Sequence, residues 1–86
     1  MKVMELRGLT RKETGIYYRR EFKGHAVFES RGKLSELQLS FIIENHPVGP
    51  PEISFVFDTE PIWPIVPVIN SLKSMVLEMD KTGLLP

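Results

Sequence analysis

The clearest pattern in the chain is a strict alternation of apolar and polar residues from Leu37 to Glu44. The apolar positions are Leu37, Leu39, Phe41 and Ile43. A period of two places successive side chains on opposite faces of a β-strand, so one face of this strand is predicted to lie in a core. The same alternation returns from Ile53 to Asp58, with Ile53, Phe55 and Phe57 on the inner face.

Three further strands are predicted in the first third of the chain. The segment from Gly15 to Phe22 places Ile16, Tyr18 and Phe22 inward and Tyr17, Arg19 and Glu21 outward, with Arg20 interrupting the inner face. Lys23-Gly24 is typical of a tight turn, after which His25 to Ser30 forms the returning strand. Lys2 to Arg7 is also predicted to be a strand, and Gly8 to Thr14 a polar loop. Arg31-Gly32-Lys33 repeats the turn signal.

The last third of the chain has the pattern of a helix that begins late. Pro61, Pro64 and Pro67 each disfavour helical geometry in the preceding residue. Beyond them, apolar residues recur at spacings of three and four, at Val68, Ile69, Leu72, Met75, Val76 and Met79. Gly83 suits the position after a helix end. The sequence therefore predicts a helix over about 65–82.

These elements together predict one domain of class α+β over residues 1–86. Its strands lie within 1–58 and form an antiparallel meander of four or five strands, and a Pro-rich connection over 59–67 leads to the C-terminal helix. One helix covers one face of a sheet. The other face is predicted to carry Tyr17, Arg19, Glu21, Gln38, Ser40 and Ile42, and it is either wet or in contact with a second subunit.

The charge is divided unevenly along a chain whose formal net charge is zero. Residues 1–33 contain nine Lys or Arg and four Glu, a formal charge of +5, and the remaining residues carry −5. This asymmetry indicates either a basic surface for an anionic partner or two complementary surfaces that meet in an oligomer.

Composition excludes several classes of protein. The chain has no Cys, so it has no disulfide and no thiolate metal site or nucleophile. Its first residues lack the apolar segment of a signal peptide, and the longest apolar stretch, around Ile62 to Ile69, is too short to span a bilayer. We therefore expect a cytoplasmic protein without a membrane partner.

Candidate catalytic and metal-binding residues are few. His25 and His46 have no Cys, Asp or Glu at metal-ligand spacing, and His46 is interpreted as a turn cap. Asp58 and Glu60 precede the helix, where negative charge is an ordinary structural device. No glycine-rich phosphate loop is present among the six glycines. We therefore expect no enzymatic activity, no metal and no cofactor.

The segment from Tyr17 to Phe28 interleaves cations with aromatic rings. Nucleic-acid binding uses this combination, because Lys and Arg neutralise phosphates while exposed rings stack on bases. The leading hypothesis is a nucleic-acid-binding module. It contacts phosphates through Arg19, Arg20, Lys23 and Arg31 and stacks bases on Tyr17.

The order of elements resembles that of the PUR and Whirly modules, which bind single-stranded DNA or RNA on a sheet and associate through their helices. The residues that carry the resemblance are the hairpin Tyr17 to Phe28, the strand Leu37 to Glu44 and the helical stripe Val68 to Met79. The resemblance implies sheet-borne contacts at Tyr17, Arg19 and Lys23. It also implies a helix-mediated homodimer with Leu77 at its contact.

The alternative hypothesis is a protein-interaction or homo-oligomeric assembly subunit. Here the basic part of one copy faces the acidic part of another, and Trp63 and Leu77 complete the contact. Trp63 also suits a lid on the sheet core, since it lies between Ile62 and Pro64.

Overall fold

A computed structural model describes residues 2–16, 18–58 and 65–86 of the chain, with Ile65 described by its backbone alone. The elements are β1 (Lys2–Lys12), β2 (Arg19–Ser30), β3 (Lys33–Glu44), β4 (Glu52–Phe57) and α1 (Ile65–Thr82). The strands form one antiparallel sheet in the order β1-β2-β3-β4. The predicted α+β class, a meander sheet followed by one helix, is thus confirmed. Residues 59–64 of the predicted Pro-rich connection lie outside the described residues.

The core lies between α1 and one side of the sheet, which we call the covered face. Cross-strand pairing aligns Phe22 with Phe41 and Phe41 with Phe55. The rings of Phe22 and Phe41 stack with their centroids 5.0 Å apart. Helix α1 buries Val68, Leu72 and Val76 against this cluster. The predicted inner positions of β3 and β4 therefore do form the core.

The predicted turn at Lys23-Gly24 is wrong, because β2 runs without interruption through both residues. Gly24 is buried under a bulge in β1, between Arg7 and Thr10, where Gly8 has a φ of 60°. A Cβ atom at Gly24 would lie 2.6 Å from Leu9 Cδ2 and 2.9 Å from the Arg7 carbonyl oxygen. The glycine is therefore needed for close approach of two backbones rather than for a turn.

Strand β1 is longer than predicted, since it continues to Lys12 through most of the expected polar loop. Strand β2 begins later than predicted, at Arg19. Ile16 and Tyr18, expected to point inward, therefore lie in the connection between the two strands, and their exposures are 40% and 48%. The two strands expected on either side of Lys23-Gly24 are one strand, so the described residues form four strands rather than five.

The second predicted turn is confirmed at Arg31 and Gly32. Both residues have a positive φ, 52° and 78°, as a two-residue hairpin turn between right-handed twisted strands requires. The ladder closes with Ser30 opposite Lys33.

Helix α1 ends in a Schellman motif. The Leu84 amide donates to the Met79 carbonyl at 2.8 Å, and the Gly83 amide donates to the Asp80 carbonyl at 3.3 Å, with Gly83 at a φ of 75°. Near this end, Arg20 donates to both carboxylate oxygens of Asp80, at 2.8 and 3.1 Å. This ion pair joins the helix to β2. Within the described residues, no helix has the length and apolarity needed to cross a membrane.

Candidate functional site

The side of the sheet opposite α1, which we call the open face, is the candidate binding surface. The described part of the chain places no strand or helix over it. Strand alternation and cross-strand register put the following residues on it: Lys2, Glu5, Arg7, Thr10, Lys12, Arg19, Glu21, Lys23, His25, Val27, Glu29, Leu34, Glu36, Gln38, Ser40, Ile42, Glu44, Glu52, Ser54 and Val56. The surface is therefore mostly charged or polar, as expected from the sequence for the predicted members that the structure describes.

Charge changes sign across the open face. On this face β1 carries three cations and one carboxylate, β2 two of each, β3 two carboxylates and β4 one carboxylate. The half formed by β1 and β2 is therefore basic, and the half formed by β3 and β4 is acidic. The uneven charge along the sequence thus becomes a gradient perpendicular to the strands.

The structure separates the five predicted nucleic-acid contacts. Arg19 and Lys23 share the open face, as their spacing of four in a strand requires. Arg20 lies on the covered face, where it is held by Asp80. Arg31 lies in the β2–β3 turn and is exposed. Tyr17 lies outside the described residues, so its predicted stacking role stays a prediction.

The pair of Arg20 and Asp80 perturbs both groups. The bidentate hydrogen bond from Arg20, aided by Coulombic attraction, lowers the pKa of Asp80 despite partial burial. The same hydrogen bond raises the pKa of Arg20. A guanidinium bound in this way has its forked donors occupied, so Arg20 is better suited to anchoring the helix than to holding a phosphate.

A cluster of cations that we call the basic corner lies at the far end of β1 and the start of β2. Its members are Arg11, Lys12, Arg19 and Lys23. Lys12 pairs in register with Glu21 and Thr10 pairs with Lys23, so the two lysines are diagonal neighbours on the open face. Among the described residues, Arg11, Lys12 and Lys23 form no ion pair, whereas Arg19 lies 3.9 Å from Glu21.

Two depressions meet at Lys12. One, of about 170 Å³, is lined by Arg11, Lys12 and Arg19 together with the β1–β2 connection. The other, of about 320 Å³, lies on the sheet and is lined by Lys12, Lys23, Ser40 and Val56 among others. Sequence reasoning missed Arg11 and Lys12 because it placed them in a loop. Continued strand pairing past Gly8, which a bulge permits, was the feature that the alternation did not reveal.

Aromatic rings are distributed differently from the cations. The five phenylalanines of the described strands lie on the covered face or are fully buried there. Tyr18 is 48% exposed and lines a cleft of about 560 Å³ with Glu44, Asn45, His46 and Pro47. Of the described aromatic residues, Tyr18 is therefore the one that presents a largely accessible ring next to the basic corner.

The predicted interface residues do not lie on the open face. Leu77 is 44% exposed on α1, on the other side of the sheet. Trp63 lies outside the described residues, so neither of its predicted roles is tested.

The expectation that His46 lacks a nearby carboxylate is wrong. His46 Nε2 lies 3.3 Å from Glu52 Oε2, and the Glu44 carboxylate completes a group whose ligand atoms lie within 4.8 Å of one another. The β3–β4 hairpin creates this group, because it pairs Glu44 directly with Glu52. These are the residues that could hold a metal ion.

Comparison with known proteins gives one match. The model of the BB_0187 family matches residues 1–81. No curated protein and no solved structure matches the chain.

Proposed function

The chain belongs to the BB_0187 family, and we propose that it is a non-enzymatic module that binds single-stranded DNA or RNA. The observation that carries the proposal is the basic corner, where three of four cations have no ion pair among the described residues. Phosphates are recognised by unpaired Lys and Arg, which release condensed counterions on binding.

The two depressions beside Lys12 determine where a backbone would run. A phosphate in the smaller depression meets Arg11, Lys12 and Arg19, and one on the sheet meets Lys12 and Lys23. Lys12 is shared by both. A chain of phosphates therefore crosses β1 and β2 at their basic end and avoids the acidic half of the open face.

Tyr18 supplies the stacking surface in this proposal. It immediately precedes Arg19, and its side chain is about half exposed. Stacking of one base on an aromatic side chain contributes about 1–3 kcal/mol. A base bound there would lie next to a phosphate held by Arg19, and this replaces the reliance on Tyr17 alone.

Charge reversal tests the proposal. We expect K12E/K23E to weaken binding of a fluorescently labelled single-stranded oligonucleotide at least about tenfold at low salt, measured by anisotropy. The matched control is K73E/K81E, which reverses two exposed helical lysines and is expected to change the affinity less than about twofold. Equal losses in both variants would show general attraction rather than a site.

Salt dependence adds a second measure of the same contacts. Four cations at the basic corner predict a slope of log K against log salt of about −3, from about −0.7 for each phosphate contact with a single strand. Wild-type binding that does not respond to salt would contradict the proposal, and so would a slope unchanged in K12E/K23E.

The charge gradient favours a second candidate, a homodimer that stacks two open faces. A two-fold axis parallel to the strands places the basic β1 of one copy over the acidic β4 of the other, whereas an in-plane axis perpendicular to them superposes like charges. Light scattering should then report a dimer that dissociates in high salt. A monomer at every salt concentration would eliminate this candidate and leave the nucleic-acid proposal intact.

A further inference from the structure

The mouth of the β3–β4 hairpin holds three side chains with metal-ligand chemistry, and none of them belongs to the basic corner. Glu44 is the last residue of β3, His46 follows in the loop, and Glu52 is the first residue of β4. We propose that these three side chains bind one Zn²⁺ ion.

The first argument is the distance between donors. A tetrahedral zinc ion with ligand bonds of about 2.0–2.1 Å separates its ligand atoms by about 3.3 Å. His46 Nε2 and Glu52 Oε2 lie 3.3 Å apart. A Glu44 oxygen lies within 4.8 Å of both, so a side-chain rotation of modest size completes a three-ligand set.

The second argument is the repulsion that the site contains without a cation. Glu44 and Glu52 are direct cross-strand partners on the same face, an arrangement that is destabilising for like charges. Among the described residues, neither glutamate forms an ion pair with Lys or Arg. A divalent cation between the two carboxylates converts this repulsion into attraction.

The donor set selects the metal. One imidazole nitrogen and two carboxylate oxygens suit zinc, whereas magnesium and calcium prefer oxygen ligands alone. Three protein ligands leave a fourth position for water. That position is reachable, because Glu44 and His46 also line the open cleft of about 560 Å³ beside Tyr18. His46 and Glu52 have exposures of 39% and 67%, so we expect moderate affinity rather than a buried structural site.

Titration of the full chain with zinc chloride tests the inference. In HEPES buffer without chelator, calorimetry should show one zinc ion per chain with micromolar affinity and no comparable binding of magnesium. We expect H46Q and E52Q each to weaken zinc binding at least about tenfold, since each removes one of three protein ligands. The matched control is H25Q, which removes the other histidine from the open face and should leave the affinity unchanged.

Several results would overturn the inference. These are no saturable zinc binding up to millimolar concentration, equal affinity in wild type and H46Q, or one zinc ion shared by two chains. Circular dichroism confirms that each variant is folded, which is expected since both side chains are exposed. The wild-type protein gives an independent readout, because bound zinc must shift the imidazole NMR signals of His46 and leave those of His25 in place.

Discussion

The two faces of the sheet are built from the same four strands yet have opposite physical characters. On the covered face, Phe22, Phe28 and Phe41 are almost completely buried. On the open face most positions are charged or polar, and Val27 is a buried apolar exception. Arg20 breaks the rule on the covered face, and its charge is satisfied by Asp80. Stability and binding are therefore assigned to different faces, and substitutions should separate them.

The largest expected difference between the faces is in core packing. F41A removes a fully buried ring that contacts Phe22 and Phe55, so we expect the free energy of unfolding to fall by about 3–5 kcal/mol. V56A on the open face removes a side chain that is 58% exposed and should cost less than about 1 kcal/mol. Urea unfolding followed by circular dichroism measures both. Equal losses would mean that the open face is also a packed interior.

A smaller effect is expected where the neighbouring strands β1 and β2 approach each other closely. G24A forces a Cβ atom against the Arg7 carbonyl oxygen and Leu9, and overpacking of this kind costs about 1–3 kcal/mol. K23A, the adjacent substitution on the open face, meets no such obstacle. If thermal unfolding showed G24A to be as stable as K23A, the close approach of β1 to β2 would be refuted.

The smallest expected effect concerns the charged pair that links the covered face to the helix. D80N should lower the free energy of unfolding at pH 7 by about 1 kcal/mol, since the pair is partly exposed. The pKa of Asp80 is lower in the folded chain. The pair therefore stabilises the fold above the unfolded-state pKa of about 4, and its contribution is lost as the pH falls through the folded-state pKa.

Unfolding free energies measured from neutral to strongly acidic pH test this sign. The difference between wild type and D80N should shrink as the solution becomes acidic. E78Q, which alters an exposed carboxylate slightly earlier on α1, provides the control and should show no such trend. A difference that grows in acid would mean that Asp80 is destabilising when ionised.

Local alternation was sufficient to predict β3, β4 and the helix, because their inner positions contact the core directly. The division of β2 into two strands was wrong since Gly24 has the composition of a turn, whereas its role depends on a bulge in β1. Bulges shift register between segments that are distant in sequence, and no local pattern records that shift. The length of β1, and with it Lys12, was missed for the same reason.

The candidate site was predictable only where parity in a strand decides position. Arg19 and Lys23 share a face because they are four residues apart, and the same rule places Arg20 opposite. The partner of Arg20 is sixty residues away in sequence, and only tertiary packing brings it near. The group around His46 had a local signal, Glu44 two residues before it, but Glu52 joins it only through hairpin pairing.

The most direct test of the proposal that the open face binds nucleic acid is a map of amide chemical shifts in the ¹⁵N-labelled protein during titration with a single-stranded oligonucleotide. The account predicts the largest changes at Arg11, Lys12, Tyr18, Arg19 and Lys23, with little change along the exposed side of α1. Changes confined to α1 or to the acidic half formed by β3 and β4 would contradict it, and so would the absence of any change at low salt.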